Sequence, residues 1–202
     1  MKNSIGNMRS TARIVKQTGH AIFCLNVFLF LNLLMVTAAG CTQSKEENNM
    51  DKIIVNSKIP TFTLQDQNGQ PFSIDSVLGK KNLVIYFYPK DDTPGCTKEA
   101  CSFRDQYEDF TNADAIVIGI SSDNVESHKD FAEKYNLSFT LLSDVGGKLS
   151  KQFGVPTSFL GLLPGRVTYI VDKQGVVIHI FNSQMNATKH IDEALKALGK
   201  EK

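Results

Sequence analysis

The chain has 202 residues, enough for one domain and an extension, and its 42% hydrophobic and 21% charged content excludes a mostly disordered or coiled-coil protein. Lys and Arg (22) nearly balance Asp and Glu (21), which excludes the electrostatic footprint of a nucleic-acid binder and leaves small or neutral substrates. Four cysteines, Cys24, Cys41, Cys96 and Cys101, are too few to staple a chain that can bury its own core, so their use is chemical.

The first fifty residues read as an address. Lys2, Arg9, Arg13 and Lys16 precede His20, and no acid stands before Glu46. Ala21 to Ala39 (AIFCLNVFLFLNLLMVTAA) is then apolar apart from Asn26, Asn32 and Thr37, and shows no polar face. A basic head followed by an apolar run of about 20 residues suits an export signal or a membrane anchor. Ala39-Gly40-Cys41 resembles the cleavage site of bacterial lipoproteins, whose cysteine is acylated, although Ala38 departs from the larger aliphatic residue usual there. Residues 1–41 therefore admit a lipoprotein signal with Cys41 acylated, an uncleaved anchor, or an acid-free organellar transit sequence. The first two attach the protein to the membrane of a bacterial cell envelope. Cys24 is a small apolar residue within the run.

Residues 42–52 are polar and form a tether, and residues 53–202 form the domain. Phe62, Leu64, Phe72 and Ile74 flank Asn68-Gly69, so the domain opens with a small N-terminal β-hairpin. Leu83 to Tyr88 (LVIYFY) is a near-continuous apolar run, as expected of a strand buried on both faces, and Ala115 to Ile120 (AIVIGI) is alike. Pro94 to Phe110 between them has helical character, which makes a βαβ unit and a parallel strand pair. Val125 to Tyr135 is a second helix, with His128 and the charges around it on its solvated face. Gly146-Gly147 makes a turn into Lys148 to Phe153. Arg166 to Val171 and Val176 to Phe181 are strands joined by Asp172-Lys173-Gln174-Gly175, with the glycine left-handed. Thr188 to Leu198 closes the chain as a helix with Ile191, Ala194, Leu195 and Leu198 on one stripe. The order β-α-β-α, an intervening segment, then β-β-α is that of an α/β thioredoxin-like fold, a central mixed sheet flanked by helices.

Thr93-Pro94-Gly95-Cys96 follows a buried strand and opens a helix, with Thr93 suited to the N-cap and Pro94 to the first helical position. Cys96 then lies in the first turn, where unpaired backbone N–H groups and the helix dipole stabilise an anion, and the thiolate is the reactive form of cysteine. Cys101 follows five residues later. On an intact helix such positions have Cα atoms ~8.7 Å apart, whereas a disulfide needs about 4.4–6.8 Å. A Cys96–Cys101 disulfide therefore requires the first turns of the helix to unwind.

YPKDDTPGCTKEAC (Tyr88 to Cys101) resembles the active-site stretch of peroxiredoxins, which places a Pro, a Thr and the peroxide-attacking Cys where this chain has Pro89, Thr93 and Cys96. The spacing of the two cysteines is that of the bacterioferritin-comigratory or Q subfamily, and GVPTSFLGLLPGRVTYIVDKQGVV (Gly154 to Val177) and HIDEAL (His190 to Leu195) add to the match. The resemblance implies a peroxidase in which Cys96 attacks the peroxide and becomes a sulfenic acid. It further implies that Thr93 hydrogen-bonds thiolate and peroxide, that Arg166 stabilises the thiolate and polarises the peroxide, and that Pro89 shapes and shields the pocket. Cys101 would then close a disulfide on Cys96, to be reduced by thioredoxin or a similar dithiol donor, in a monomer without cofactor.

Two other uses of such a domain compete. A disulfide oxidoreductase of the thioredoxin kind has its cysteines closer, in C-x-x-C. A membrane-anchored copper carrier on the same fold would join two cysteines to a distant histidine, for which His179 and His190 are available. Zinc and iron–sulfur centres call for about four ligands, and no second cysteine pair is suitably spaced. No metal site and no dinucleotide fingerprint is expected.

Overall fold

The computed structural model describes residues 52–158 and 163–199, all within the compact unit Asn49–Lys202. The expected signal or anchor over residues 1–41, with Cys24 and Cys41, and the tether up to residue 51 lie outside the described residues. Nine strands, five α-helices and a 3-10 turn (Ile74–Ser76) occupy the described part: β1 (Thr63–Asp66), β2 (Pro71–Ser73), β3 (Asn82–Phe87), α1 (Pro94–Asp105), α2 (Tyr107–Asn112), β4 (Ala115–Ser121), α3 (Val125–Tyr135), β5 (Thr140–Ser143), α4 (Lys148–Gln152), β6 (Thr157–Ser158), β7 (Leu163–Pro164), β8 (Val167–Val171), β9 (Val177–Asn182) and α5 (Lys189–Ala197).

Seven strands form one mixed sheet in the order β2-β1-β5-β4-β3-β8-β9, and β6 pairs with β7 separately. β3 runs parallel to β4 and β4 to β5, because helices carry the crossovers. β8 lies antiparallel to β3, and β9 antiparallel to β8. The β8–β9 turn closes at Gly175, whose φ of 78° is left-handed as expected of a glycine there. β1 pairs antiparallel with β2 on one side and with β5 on the other.

The apolar run of β3 divides its side chains between two cores, because successive residues face opposite ways. Val84, Tyr86 and Tyr88 pack against Phe103 of α1, Phe110 of α2, Phe131 of α3 and Ile191 of α5. Leu83, Ile85 and Phe87 pack on the other face with Ile74, Phe153, Tyr169 and Val177. Both sets are fully buried, as a central strand between layers requires.

Three expectations need correction. The helix expected over Pro94–Phe110 is two helices, broken at Gln106 (φ −109°, ψ 16°), and the break sets the Phe103 and Phe110 rings 5.6 Å apart. The intervening segment contains a further core strand, β5, whose four residues are too few to display a period but bury Leu141 and Leu142. His128 is not on a solvated face. It is fully buried, with Nδ1 2.8 Å from Asp91 Oδ2 and Nε2 3.1 Å from the Leu142 carbonyl oxygen.

Candidate active site

The sheet delivers the site. β3 ends at Phe87, and Tyr88 to Asp92 carry the chain from its carboxyl end to α1, where open α/β sheets characteristically bind ligands. The loop is pinned beneath by a buried polar cluster. Tyr88 Oη donates to Asp91 Oδ1 at 2.7 Å, Ser127 Oγ donates to Asp91 Oδ2 at 2.8 Å, and the Asp91 backbone N–H donates to Asp123 Oδ2 at 2.9 Å. Asp92, left-handed at φ 55°, is held by Lys134 and Tyr135, each 2.6 Å away. These contacts fix where α1 begins.

Thr93 occupies the N-cap position and Pro94 the first helical position of α1. The backbone carbonyl of Thr93 accepts from Thr97 N–H at 2.8 Å, as an N-cap carbonyl should. Its side chain does not cap, contrary to expectation: Oγ1 donates to the Lys90 carbonyl at 3.1 Å. The hydroxyl oxygen thus keeps its lone pairs for another donor. Cys96 is in the first turn, 2% exposed, and Cys101 is half-buried further along the same helix; both are free thiols.

Arg166, just before β8, comes to α1 from seventy residues away. Its Nη2 lies 3.4 Å from Cys96 Sγ, and its Nη1 donates to Glu99 Oε2. Sequence pattern alone makes Arg166 a surface charge at a strand end; it is 4% exposed. Burial works against its charge, but Glu99 and Cys96 outweigh that and raise its pKa. Gly95 eases the approach, because a Cβ there would lie 3.2 Å from Arg166 Nη2 and the guanidinium would have to give by a few tenths of an ångström.

Behind the guanidinium lie two buried groups: Glu99, which sequence reasoning missed, and His190, which it named only as an available copper ligand. Glu99 is fully buried, and burial pushes its carboxyl up to about 8 against the pull of Arg166. Among the described residues its Oε1 has no hydrogen-bond partner, and it lies 3.7 Å from His190 Nδ1. Burial pushes His190 down to about 4. The neutral ring donates from Nε2 to the Ser183 carbonyl at 2.9 Å and accepts at Nδ1 from Thr168 Oγ1 at 2.7 Å. Glu99 could have been found from its place three residues after Cys96, which puts both on one helix face.

A cavity of about 490 Å³ opens over Cys96, lined by Pro89, Lys90, Thr93, Gly95, Leu163, Arg166, Gln184 and Met185. Pro89, Thr93, Cys96 and Arg166 therefore meet in one place, while Cys101 does not line it. A second cavity of about 380 Å³ lies beside Asp91, Asp92, Glu126 and Asp130 and contains no thiol. The first combines a nucleophile, a fixed cation and room for a small organic molecule.

The model of the AhpC/TSA family matches residues 55–180. The chain belongs to the AhpC/TSA family. Within it the chain is a peroxiredoxin of the Q type. The chloroplastic peroxiredoxin Q of Sedum lineare is 56% identical over 147 residues, 73% of this chain and 78% of the relative. Peroxidoxin BcpB of Mycobacterium tuberculosis has the same architecture, with a TM-score of 0.68 and 37% identity, covering 73% of this chain and 97% of that one. A bacterioferritin comigratory protein of Xanthomonas campestris, solved in connection with its alkyl peroxide reduction activity, gives a TM-score of 0.63 and 31% identity over 68% of this chain and 90% of its own. This peroxiredoxin is accordingly a thiol peroxidase, with a peroxide as oxidant and a thiol as reductant.

Proposed function

We propose that Cys96 is the thiol that attacks the peroxide and that Cys101 resolves it. The observation that carries this assignment is the 3.4 Å contact of Arg166 Nη2 with Cys96 Sγ at the floor of a cavity also lined by Thr93 and Pro89. The Cys96 thiolate attacks the terminal peroxide oxygen, the O–O bond breaks, and the departing oxygen takes a proton to leave as water or an alcohol. Arg166 stabilises the negative charge on sulfur and then on the departing oxygen, with donors fixed before the reaction starts. Thr93 Oγ1, whose proton goes to the Lys90 carbonyl, accepts a hydrogen bond from the peroxide, and Pro89 keeps water off the sulfenic acid that forms.

Cys101 then attacks the Cys96 sulfenic acid. The S–S bond forms, the S–O bond breaks, and the hydroxyl leaves with the thiol proton as water. Both cysteines belong to α1, so their Cα atoms are ~8.7 Å apart while the helix is intact, and its first turns must open for this step. Thioredoxin or a similar dithiol returns the disulfide to two thiols by exchange. The cavity admits organic hydroperoxides beside hydrogen peroxide, in keeping with the alkyl peroxide activity named for the Xanthomonas campestris relative.

Copper carriage and a thioredoxin-like oxidoreductase role have no support among the relatives. Both ring nitrogens of His190 already bond Thr168 and Ser183. Membrane attachment and acylation of Cys41 are likewise unsupported, since the name of the Sedum lineare relative carries a chloroplast address. The acid-free basic start of the chain fits an organellar transit sequence ahead of a domain over residues 53–202. The test is peroxide consumption by the purified domain with a thioredoxin system. Activity abolished by Cys96→Ser and reduced to a single turnover by Cys101→Ser supports the assignment; full activity in either variant refutes it.

A further inference from the structure

We propose that Asp123 is a positioning residue for the reaction with peroxide, aiming the hydroxyl of Thr93 through the peptide group that joins Lys90 to Asp91. The inference rests on the assignment of Thr93 as a hydrogen-bond partner of the peroxide.

The observation that calls for it is a diverted cap. A threonine at the N-cap of a helix ordinarily turns its hydroxyl oxygen to the N–H groups of the first turn and accepts from one of them. Thr93 occupies that position in α1 without making the bond, and its Oγ1 donates to the Lys90 carbonyl at 3.1 Å instead. The lone pairs of Oγ1 face the cavity over Cys96 only while that carbonyl stays where it is.

What holds the carbonyl lies on the other side of its own peptide group. The Lys90–Asp91 peptide is trans and planar, so its C=O and N–H point in opposite directions and neither turns without the other. The N–H donates to Asp123 Oδ2 at 2.9 Å. A carboxylate accepts such a bond more strongly than a neutral oxygen does. Asp123 is in turn fixed by two strands of the sheet. Ser121 Oγ, at the end of β4, donates to Asp123 Oδ2 at 2.7 Å and accepts from the Asp123 N–H at 3.0 Å. Ser143 Oγ, at the end of β5, donates to the Asp123 carbonyl at 2.6 Å.

The relay therefore runs from β4 and β5 through Asp123 and one peptide plane to Thr93 Oγ1. The side-chain bonds of Asp91 to Tyr88, Ser127 and His128 hold the loop in place, but they do not set the rotation of that plane about the line joining its two Cα atoms. Without Asp123 the plane can turn and the Lys90 carbonyl leaves Thr93. The hydroxyl then falls back to the ordinary cap, where its oxygen faces the N–H groups of the helix rather than the peroxide.

A double-mutant cycle with Asp123→Ala and Thr93→Val tests this, because two residues acting through one relay are not additive. Reduced full-length protein would compete with horseradish peroxidase for hydrogen peroxide, which reads the rate of Cys96 oxidation apart from any later step. Alkylation of Cys96 by iodoacetamide, an electrophile that does not need the Thr93 hydroxyl, would be followed in parallel by mass spectrometry. Asp123→Ala should slow the reaction with peroxide by about tenfold when Thr93 is present and by less than about twofold in Thr93→Val, while alkylation stays within about twofold of wild type. Asp123→Asn keeps an acceptor oxygen and should recover most of the loss. If Asp123→Ala does not fold, Ser121→Ala carries the test. It removes the hydroxyl that steers the carboxylate and should slow the reaction by about threefold, again only where Thr93 is present.

Equal losses in both Thr93 backgrounds, a parallel loss of alkylation, or no loss at all would overturn the relay. Thr93→Val by itself keeps the two claims apart. A peroxide rate that it leaves unchanged removes the role of Thr93 and the relay together. A rate that it lowers, with Asp123→Ala costing the same in either background, removes the relay only.

Discussion

Arg166 has to serve sulfur and carboxyl with one guanidinium, and its planar fork is what allows it. Nη1 and Nη2 point to different partners, Glu99 and Cys96, and the compact ammonium of lysine has no second nitrogen to reproduce that spacing. Arg166→Lys should therefore lower kcat/KM for peroxide by about a hundredfold or more although the charge is kept. Near-wild-type kinetics in stopped-flow measurements would contradict that. Glu99 and His190 give the buried cluster a pH dependence with opposing signs. Glu99, raised to about 8, contributes stability that is complete below its ordinary value of 4.5 and is lost as pH rises through about 8. His190, lowered to about 4, contributes stability that is complete above its ordinary value of 6.5 and is lost as pH falls through about 4. Between 4.5 and 6.5 the two slopes, about 1.4 kcal/mol per pH unit each, cancel. Urea titrations should show His190→Asn gaining stability relative to wild type as pH falls from 6.5 to 4, and Glu99→Gln gaining it as pH rises from 4.5 to 8. Parallel curves for wild type and variants would rule the cluster out as their source. Cys96 was legible in the sequence because Thr93-Pro94-Gly95-Cys96 is a local pattern with a local cause. Arg166 was legible through family resemblance alone, and the burial of Glu99 and His128 was not legible at all, since the burial of a charged side chain depends on partners distant in sequence.

Helix α1 combines two parts that are anchored differently. Its first two turns carry the chemistry and bury only Cys96, Glu99 and Ala100, whereas its later residues are locked into the aromatic core through Phe103, beside Tyr86, Phe110 and Phe139. Phe103→Ala should cost about 3–5 kcal/mol of stability in urea unfolding, as expected for emptying a fully buried aromatic site. It should also let opening spread beyond residue 101, seen as faster amide exchange up to Gln106. Exchange that stays confined to residues 94–101 in this variant would show that Phe103 is not the boundary. The sequence displays the long elements well, because β3, β4, α3 and α5 each carry a full period of pattern. It hides the break at Gln106 and strand β5. The break shows only in the contact it sets up between Phe110 and Phe103, and β5 is only Thr140–Ser143, recognisable by its parallel pairing with β4.

At the scale of the molecule, the sheet order places β8 beside β3, and this alone brings Arg166 to the end of the strand that leads into α1. The thioredoxin-like element order was readable from hydrophobic periodicity, but which strands are neighbours was not, and the site depends on the neighbours. The address is a separate matter. If residues 1–41 direct the protein to an organelle, the mature protein isolated from its source should begin after the apolar run and carry no acyl group. An acylated Cys41 at the amino terminus would contradict that. The exchange of two thiols for one disulfide across α1 is tested most directly by the intact mass of the reduced domain after one equivalent of peroxide. The wild type should lose two hydrogens, Cys101→Ser should gain one oxygen, and Cys96→Ser should stay unchanged. A wild type that gains oxygen without closing the disulfide, or a Cys96→Ser variant that still reacts, would contradict the account.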